Sequence, residues 1–524
     1  MWIKTDKIEN FAGIIARWMD GSLFFRGLVA LMNFMKNICS NSLIGQAFVG
    51  DESHLSITTH RSKFMRLAGK ILNGLPKPFR SPTALPPKAD KFLKGSWLLS
   101  NLLEGVGAPL PIGFRSAKPG DFSRWMIFTL PALGLAVVLL GTPILPTMML
   151  GMLLVPILLF TLLSRWFAIE GITAFFLIFI ILSIVVGVMS LAPRSSIPIA
   201  LLTSIYVASA MAIMAIATTR HSVDFYILIF IAGAGITGLI GLYQVLVGYT
   251  SDLWLDMEIH AAIRNRVVST FDNPNVFATY LLLVIPIAAA AVIYFKNIFL
   301  KICAGGATAL LLGNLMLTYT RGAYVALPLA VIVFVLIIEK RLVVLLAAFL
   351  PVVPIILPPT IRDRMFSILN FSDSSTVFRM SIWQGSLRMA QDFWLTGVGQ
   401  GLEAYHAVYP YYALMAAGTL HSHNLYLQIL VATGIGGLFL FIAIVACFFR
   451  AHANFLRREK AFRLRVMSAA MVAAMVGFLA QGMFDYNFFN FSVVLAFYMF
   501  VGIGVAFTRA NTPVVTPFED NVYD

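Results

Sequence analysis

The stretch HSHNLYLQILVATGIGGLFLFIAIVACFF, residues 421–449, joins a polar segment to a long apolar run. The apolar part, from about residue 424 to 449, is long enough to cross the roughly 30 Å hydrocarbon core of a membrane. Its polar start carries two imidazoles and a carboxamide, those of His421, His423 and Asn424. The stretch therefore predicts a spanning helix with titratable groups at a membrane face.

The rest of the chain has the composition of a polytopic membrane protein. Of its 524 residues 59% are hydrophobic and only 12% are charged, which is far from the usual composition of soluble domains. We predict an all-α, polytopic transmembrane helical bundle of about twelve spanning helices. The predicted spans lie near residues 126–144, 146–164, 167–191, 198–217, 223–249, 274–295, 300–320, 322–338, 342–358, 424–449, 466–485 and 490–508.

Three regions follow from this pattern. Residues 1–124, with 17 Lys and Arg against 8 Asp and Glu, are predicted to be a basic cytoplasmic or interfacial segment with amphipathic helices. Residues 125–508 form the transmembrane domain, with a large, partly helical outer loop at about 359–423, and residues 509–524 form a cytoplasmic tail. The formal net charge of +14 is attributed to tails and loops that face anionic lipid head groups, and no nucleic-acid partner is expected.

The positive-inside rule orients the chain. With the basic N-terminal segment in the cytoplasm, Lys340, Arg341 and the basic group from Arg450 to Arg465 fall inside, whereas the long loops 250–273 and 359–423 fall outside. Both termini are then cytoplasmic. The three cysteines fall on the cytoplasmic side, so no disulfide framework is predicted.

Two short stretches place further polar groups at the outer face. In Phe271-Asp272-Asn273-Pro274-Asn275, Asn273 is predicted to cap a helix that begins at Pro274. In the alternative interpretation, Asn273 and Asn275 face a sugar or a phosphate. Arg321 stands alone between two spans and is interpreted either as a snorkelling side chain or as a fixed anion contact, since a guanidinium fork suits a diphosphate.

The large outer loop is predicted to contain a helix that places Arg379, Trp383 and Ser386 on one face. Such a helix lies along the membrane, or it offers a second guanidinium beside an indole to a lipid-linked sugar diphosphate. A crowded aromatic segment follows, interpreted as an interfacial belt or as a platform for sugar rings. Its members are Tyr405, His406, Tyr409, Tyr411 and Tyr412.

Several interpretations are open for the residues around this stretch. A neutral His423 can accept a proton from a sugar hydroxyl, since an imidazole has a pKa of about 6.5; alternatively it is a bystander beside a helix cap formed by Ser422 or Asn424. Asn424 or the loop is expected to orient the ring. Asp485, after the next span, is left with three roles: a cap, an arginine partner or an assistant of the base.

The glycines and the acidic residues are given no catalytic role. Gly434, Gly436 and Gly437 are attributed to close contact between helices. No cluster of His, Cys and acidic residues with metal spacing is recognised in the outer loops, and the nearest group is Asp252, Asp256 and Glu258. No metal and no cofactor are therefore expected.

Three motifs resemble the O-antigen ligase and polymerase superfamily of bacterial membrane proteins over roughly residues 125–508. The motifs are Phe271 to Asn275, Thr320 to Ala323, and His423-Asn424 followed after nine residues by Gly434 and after two more by Gly437. The resemblance implies an inverting, metal-independent glycosyltransferase in the bacterial cytoplasmic (inner) membrane. Such an enzyme passes a glycan from undecaprenyl diphosphate to a hydroxyl of a saccharide, lipid or protein at the outer face.

The resemblance also implies residue roles. His423 corresponds to the catalytic histidine of the superfamily, and Arg321 and Arg379 correspond to its diphosphate-binding arginines. His421 has no firm counterpart, and residues 1–124 depart from the compact N-terminus of the superfamily.

Two other classes remain open. A polyprenyl-phosphate-dependent glycosyltransferase of another fold would be expected to carry an acidic residue in its first outer loop, and the short divider at 141–146 has none. A glycan flippase or transporter usually has ionisable groups within its spans or inverted repeats. Here the polar groups gather at the outer helix ends.

Overall fold

The computed structural model describes residues 57–58, 168–169, 171–217, 219–249, 266–349, 355, 357–369, 374–415 and 417–512. The helices with full bounds are α1 Gly171–Val188, α2 Pro193–Ile216, α3 Arg220–Leu246, α4 Pro274–Tyr294, α5 Ile298–Leu317, α6 Arg321–Ile338, α7 Leu342–Phe349, α8 Pro359–Phe366, α9 Ser374–Asp392, α10 Leu402–Val408, α11 Leu425–Arg458, α12 Phe462–Gly482 and α13 Phe491–Ala510. Short 3-10 turns cover Ser367–Leu369 and Tyr409–Tyr411, and the two-residue strands β1 (Ile57–Thr58) and β2 (Ala168–Ile169) pair antiparallel.

Nine of the described helices are long and apolar enough to cross a membrane, namely α1 to α6 and α11 to α13. The predicted helical bundle is confirmed for these nine spans. The predicted spans near 126–144 and 146–164 and the predicted amphipathic helices of residues 1–124 lie outside the described residues. Of the predicted span 342–358, the structure describes α7 and little more.

The chain returns to the start of α6 after leaving its far end. At 1.5 Å per residue, the 18 residues of α6 cover about 27 Å. Nevertheless the Arg364 Nε atom donates a hydrogen bond to the Tyr319 carbonyl at 3.4 Å, just before α6 begins. Arg364 therefore lies beside the start of α6, at the opposite end of that helix from α7, and the span 342–358 stays a prediction.

The spanning helices pack around a core in which α4 and α13 are the most enclosed. Both helices are apolar on all sides, and a helix of that kind is stable when other helices surround it. Helix α12 packs between α4 and α6, while α1 and α2 pack on α11 and α13. Outward-facing apolar side chains such as Ile181, Leu246 and Ile302 are more than 60% exposed, which is typical of a surface that faces lipid.

The two ends of the bundle differ in charge. One end, here called the basic end, contains all the lysines among the described residues, together with the arginines between Arg450 and Arg465. At this end Tyr294 donates a hydrogen bond to Asp224, and the Arg220 guanidinium lies 5.6 Å from the Tyr294 ring centroid. The opposite end, here called the outer end, carries the starts of α4, α6 and α11. This sorting agrees with the predicted loop assignment.

Helix α11 is interrupted at Gly434, which has φ +67° and ψ −175°. The interruption frees backbone groups that a regular helix would pair internally. The residues just after α9 take them up: Val398 and Gly399 donate to the carbonyls of Val431 and Ala432 at 2.9 and 3.1 Å, and the Ile435 amide donates to the Trp394 carbonyl at 2.7 Å. The outer loop is thus docked on α11 through its backbone.

The structure corrects two predictions about this helix. Gly434 does not serve contact between spans; its positive φ and its approach to the Leu395 carbonyl require glycine. Gly437 leaves room for the side chain of Thr433, one turn earlier in the same helix. The helix also continues nine residues past the predicted end at 449, to Arg458. The prediction ended the helix where the apolar run ends, whereas the polar residues that follow are also helical.

Gly434→Ala is expected to destabilise the protein strongly. A Cβ atom at this position would lie 2.3 Å from the Leu395 carbonyl oxygen, and the backbone region of positive φ with ψ near 180° alone costs a non-glycine residue about 1–3 kcal/mol. The measurement is the thermal unfolding midpoint in detergent. Gly436→Ala is the matched control, because its added Cβ would make only an ordinary contact at 3.5 Å with Leu182. Equal midpoints for the two variants would contradict the assignment.

Candidate active site

Two asparagine caps set the backbone of the site, as predicted. The Asn273 side chain accepts a hydrogen bond from the Asn275 amide at 2.8 Å and caps α4. The Asn424 side chain accepts from the Leu427 amide at 3.0 Å and caps α11, and its Nδ2 atom donates to the Met483 carbonyl at 3.0 Å. Asn424 therefore fastens the start of α11 to the end of α12.

His423 and Asp485 form a hydrogen-bonded pair at the outer end. The His423 Nδ1 atom lies 3.1 Å from Asp485 Oδ1, and the Asp485 side chain is almost fully buried. The carboxylate also accepts hydrogen bonds at 2.9 Å from the Tyr486 amide and from Asn275 Nδ2. Of the three roles that the sequence left open for Asp485, the structure places it as the partner of the imidazole.

The hydrogen bonds of Asp485 define its protonation state. Burial raises the pKa of this carboxyl, but the hydrogen bond from His423 and the electrostatic interactions with His423, Arg379 and His421 lower it by more, so the pKa lies well below its usual range. An ionised carboxylate only accepts hydrogen bonds, so His423 Nδ1 carries the proton. In the neutral ring Nε2 is then the basic atom, and the His423 side chain is 25% exposed.

His423 is held in an unusual backbone conformation. Its φ is +49°, and the other non-glycine residues with positive φ in the described part of the chain, Ser269, Asp272 and Tyr319, also lie at the outer end. Such conformations concentrate at functional sites because neighbouring contacts must maintain them. Here the His423 amide donates to His421 Nδ1 at 3.2 Å, and Trp383 Nε1 donates to the His423 carbonyl at 3.3 Å.

His421 supports His423 without competing with it for a proton. The two rings are 4.1 Å apart, and the His421 ring stacks on Phe489 at 5.2 Å. Burial lowers the pKa of His421 to about 4, with smaller contributions in the same direction from His423 and Arg379 and an opposing one from Asp485. His421 is therefore neutral near pH 7, and His423 is the imidazole placed to accept a proton.

Asn275, which binds Asp485, also binds Arg266, an arginine that was not predicted to belong to the site. Asn275 Oδ1 accepts hydrogen bonds from the Arg266 guanidinium at 3.0 Å and from the Thr320 hydroxyl at 3.1 Å. Arg266 Nε also donates to the Thr318 carbonyl at 2.8 Å. The available signal was an arginine a few residues before the predicted cap at Asn273. Residues of all three motifs thus belong to one hydrogen-bonded network.

Arg321 lies at the same end, against the segment that carries Asp485. Gly322 packs so closely on this segment that an added Cβ would lie 2.3 Å from Gln481 Oε1 and 3.2 Å from the Phe484 Cβ atom. The Arg321 guanidinium donates to the Ser367 carbonyl at 3.5 Å. The turn between α5 and α6 is therefore fixed next to the pair of His423 and Asp485.

The predicted loop helix is confirmed as α9, but its three residues do not share one role. Trp383 contacts the His423 carbonyl, and the charge of Arg379 reaches both Asp485 and His421 electrostatically. Ser386 instead faces the interior of the loop, where its hydroxyl lies 2.7 Å from the Tyr405 hydroxyl.

Two tyrosines of the outer loop depart from prediction, whereas Tyr411 is 86% exposed and its predicted role stays a prediction. Tyr405 and Tyr409 are fully buried and stack at 5.0 Å in the core of the loop. They pack with Ile382, Met389 and other apolar side chains, and so are neither an interfacial belt nor a sugar platform. Burial of these rings depends on contacts with α9 and α11 that a local sequence pattern does not reveal.

A metal-compatible cluster is present that the sequence analysis did not assemble. One donor atom each from His421, His423 and Asp485 lies within 4.8 Å of the others, and these are suitable ligand types for zinc. However, His423 Nδ1 is already hydrogen-bonded to Asp485, and His421 Nδ1 accepts from the His423 amide. Ligation through these atoms would replace the bonds that orient the two rings. The group Asp252, Asp256 and Glu258 lies outside the described residues.

Comparison with known proteins agrees with this geometry. The family model described as O-antigen ligase matches residues 306–442, a region that contains Arg321, Arg379, His423 and Gly434. The match confirms the resemblance to the O-antigen ligase and polymerase superfamily and supports glycan transfer of that type at a membrane. No curated protein sequence matches the chain significantly.

His421 is expected to make stability fall as the pH is lowered from about 6.5 to 4. Its pKa is about 4 in the folded state and about 6.5 when unfolded, so the unfolded chain binds the proton more readily within this window. The loss at pH 4 is about 3 kcal/mol at most. We expect unfolding midpoints recorded from pH 4 to 8 to fall less steeply for His421→Gln than for the wild type; parallel curves would disprove this role.

Proposed function

We propose that this protein transfers or polymerises a glycan from an undecaprenyl-diphosphate donor onto a hydroxyl acceptor at the outer face of the bacterial cytoplasmic membrane, for cell-surface polysaccharide synthesis. The main support is the pair of His423 and Asp485, held at the outer end of a transmembrane bundle beside a turn that carries Arg321. In this arrangement both termini lie in the cytoplasm, in accord with the charge difference between the two ends.

The reaction is proposed to proceed by single displacement. The acceptor hydroxyl gives its proton to His423 Nε2 while its oxygen attacks the anomeric carbon of the donor sugar. The bond from that carbon to the diphosphate oxygen breaks, and its electron pair leaves with the diphosphate. Attack opposite the leaving group inverts the anomeric centre. Asp485 stabilises the imidazolium that forms and keeps its ring oriented.

The guanidinium groups are proposed to bind the leaving diphosphate. Arg321 is anchored to the α5–α6 turn, and Arg379 extends from α9 on the side of the site where Trp383 contacts His423. A planar guanidinium can give paired hydrogen bonds to phosphate oxygens and keeps its charge throughout the reaction. Because diphosphate is already a good leaving group, charge stabilisation and a positioned base supply the needed chemistry without a cofactor.

A transporter is the less favoured alternative. In the nine described spans, ionisable side chains occur only toward the helix ends, whereas transport pathways usually place such groups near the membrane midplane. The polar network described above is concentrated at one end. This arrangement favours chemistry at a membrane face over a route across the membrane.

His423→Ala is expected to reduce glycan transfer by about 10²- to 10⁴-fold, the usual range for loss of a general base. The measurement is product formation from a defined undecaprenyl-diphosphate-linked oligosaccharide by the purified, reconstituted protein. His406→Ala is the matched control, because His406 is an exposed histidine of the same outer loop and should leave the rate unchanged.

The same assay tests metal independence. Rates with and without EDTA should agree within experimental error. Wild-type transfer by a folded His423→Ala protein would remove the base assignment, and loss of activity in EDTA that zinc restores would instead favour metal ligation by the cluster of His421, His423 and Asp485.

Arg321→Lys is expected to slow transfer by roughly tenfold to a hundredfold, because an ammonium group keeps the charge but lacks the paired donors of the guanidinium. The steady-state constants for the donor are the measurement. Arg388→Lys, at an exposed position of α9, is the matched control. If both variants have the same kinetics as the wild type, Arg321 is only a structural anchor.

A further inference from the structure

The side-chain amide of Asn275 lies between two charged groups of opposite sign. Its Oδ1 atom accepts a hydrogen bond from the Arg266 guanidinium at 3.0 Å, and its Nδ2 atom donates to Asp485 Oδ2 at 2.9 Å. The other oxygen of this carboxylate, Oδ1, lies 3.1 Å from His423 Nδ1. Asn275 thus connects an arginine that precedes α4 with the carboxylate that holds the imidazole.

Arg266 decides which way this amide is turned. An asparagine side chain has two orientations of nearly the same shape, because a half-turn of its end group exchanges the oxygen and the nitrogen. A guanidinium only donates hydrogen bonds, so the atom that faces Arg266 must be the amide oxygen. The Thr320 hydroxyl donates to the same oxygen at 3.1 Å. Asn275 therefore presents a donor, and not an acceptor, to the ionised carboxylate of Asp485.

Arg266 is itself held at several points. Its Nε atom donates to the Thr318 carbonyl at 2.8 Å, and its guanidinium also donates to the Thr320 hydroxyl at 3.3 Å. The chain just after it is fixed to α3, because the Gln244 side chain accepts the Ser269 amide at 2.8 Å and donates to the Ser269 carbonyl at 2.9 Å. The guanidinium is therefore positioned both by the α5–α6 turn and by its own segment, as a supporting residue of a site must be.

The bond from Asn275 fixes the plane of the Asp485 carboxylate. Its Oδ1 atom accepts from His423 Nδ1 and from the Tyr486 amide, at 3.1 and 2.9 Å, whereas Oδ2 accepts from Asn275. A buried carboxylate oxygen that lost its donor, or faced an amide oxygen, would turn to recover a hydrogen bond. The imidazole would then turn with its partner. A general base works only while it stays within hydrogen-bond reach of the proton that it takes.

We propose that Arg266 is a positioning residue that acts on the base through Asn275. It fixes the orientation of the Asn275 amide and so holds the pair of Asp485 and His423 in the geometry in which Nε2 takes the proton of the acceptor. This role rests on the proposed function and adds to it a residue that contacts neither the sugar nor the diphosphate. Arg266 therefore differs from the arginines that are proposed to bind the leaving group.

Steady-state kinetics of the full-length, reconstituted protein test this role. Arg266→Met removes the charge and the donors but keeps a side chain of similar length. We expect kcat to fall about 10- to 100-fold, a part of what a general base contributes, while KM for the undecaprenyl-diphosphate-linked donor stays within about twofold. Arg362→Met is the matched control, because the Arg362 side chain is 42% exposed on α8 and lies 3.5 Å from Asp363. It should leave both constants unchanged.

A double-mutant cycle distinguishes positioning through Asn275 from a general loss of structure. Asn275→Ala removes a donor of Asp485 without removing the cap of α4, which is Asn273. Adding Arg266→Met to Asn275→Ala should lower kcat by no more than about twofold further, whereas two independent roles would multiply the two losses. Arg266→Lys keeps a charged donor for the amide oxygen, so its kcat should exceed that of Arg266→Met by at least about threefold.

Three results would overturn this role while the proposed function stands. They are wild-type kcat in a folded Arg266→Met protein, a rise in donor KM without a loss of kcat, which would make Arg266 a diphosphate ligand, and multiplied losses in the cycle. Thermal unfolding midpoints in detergent identify the folded variants. If Arg266→Met does not fold, Arg266→Lys takes its place, and a kcat at or below that of Asn275→Ala would contradict the role. Absence of transfer by the folded wild type would instead overturn the proposed function, and the role of Arg266 with it.

Discussion

The hydrogen bond between His423 and the buried carboxylate of Asp485 is the constraint on which the site depends. A buried ionised carboxylate is costly unless several donors surround it. These donors come from different parts of the chain: Asn275 at the start of α4, His423 just before α11 and the amide of Tyr486. The need to satisfy one charge therefore fixes the relative positions of three helix ends. The same contacts set the tautomer that leaves Nε2 available as a base.

The outer loop adds a second set of constraints on His423. Trp383 binds the carbonyl of His423 from α9, and the segment after α9 pairs with the interrupted backbone of α11 near Gly434. The first turns of α11 are thus held both by the other spanning helices and by the outer loop. Arg379 belongs to the same loop element as Trp383, so the docking that positions the imidazole also positions a guanidinium near it.

Sequence reasoning succeeded where the relevant physics is local. Apolar runs predicted the nine described spans, and cap chemistry predicted the roles of Asn273 and Asn424. It left the outcome open where partners are distant in the chain: three roles were possible for Asp485, which lies 62 residues from His423 and 210 from Asn275. Gly434 was predicted to be a packing residue, because the pattern of apolar residues does not indicate that its φ angle is positive. The buried tyrosines were misread because the loop core forms only when α9 and α11 meet.

The docking of the outer loop on α11 has an evolutionary consequence. Hydrogen bonds between backbone groups place no demand on side-chain identity, so the exposed positions Trp394 and Leu395 are free to vary. Val398 is not, because it is buried in the loop core, and Gly397 and Gly399 have positive φ angles. The length of this segment is not free, because one inserted residue would shift every pairing with α11. Variation in this segment is therefore expected as substitution at constant length, with insertions confined to other parts of the outer loop.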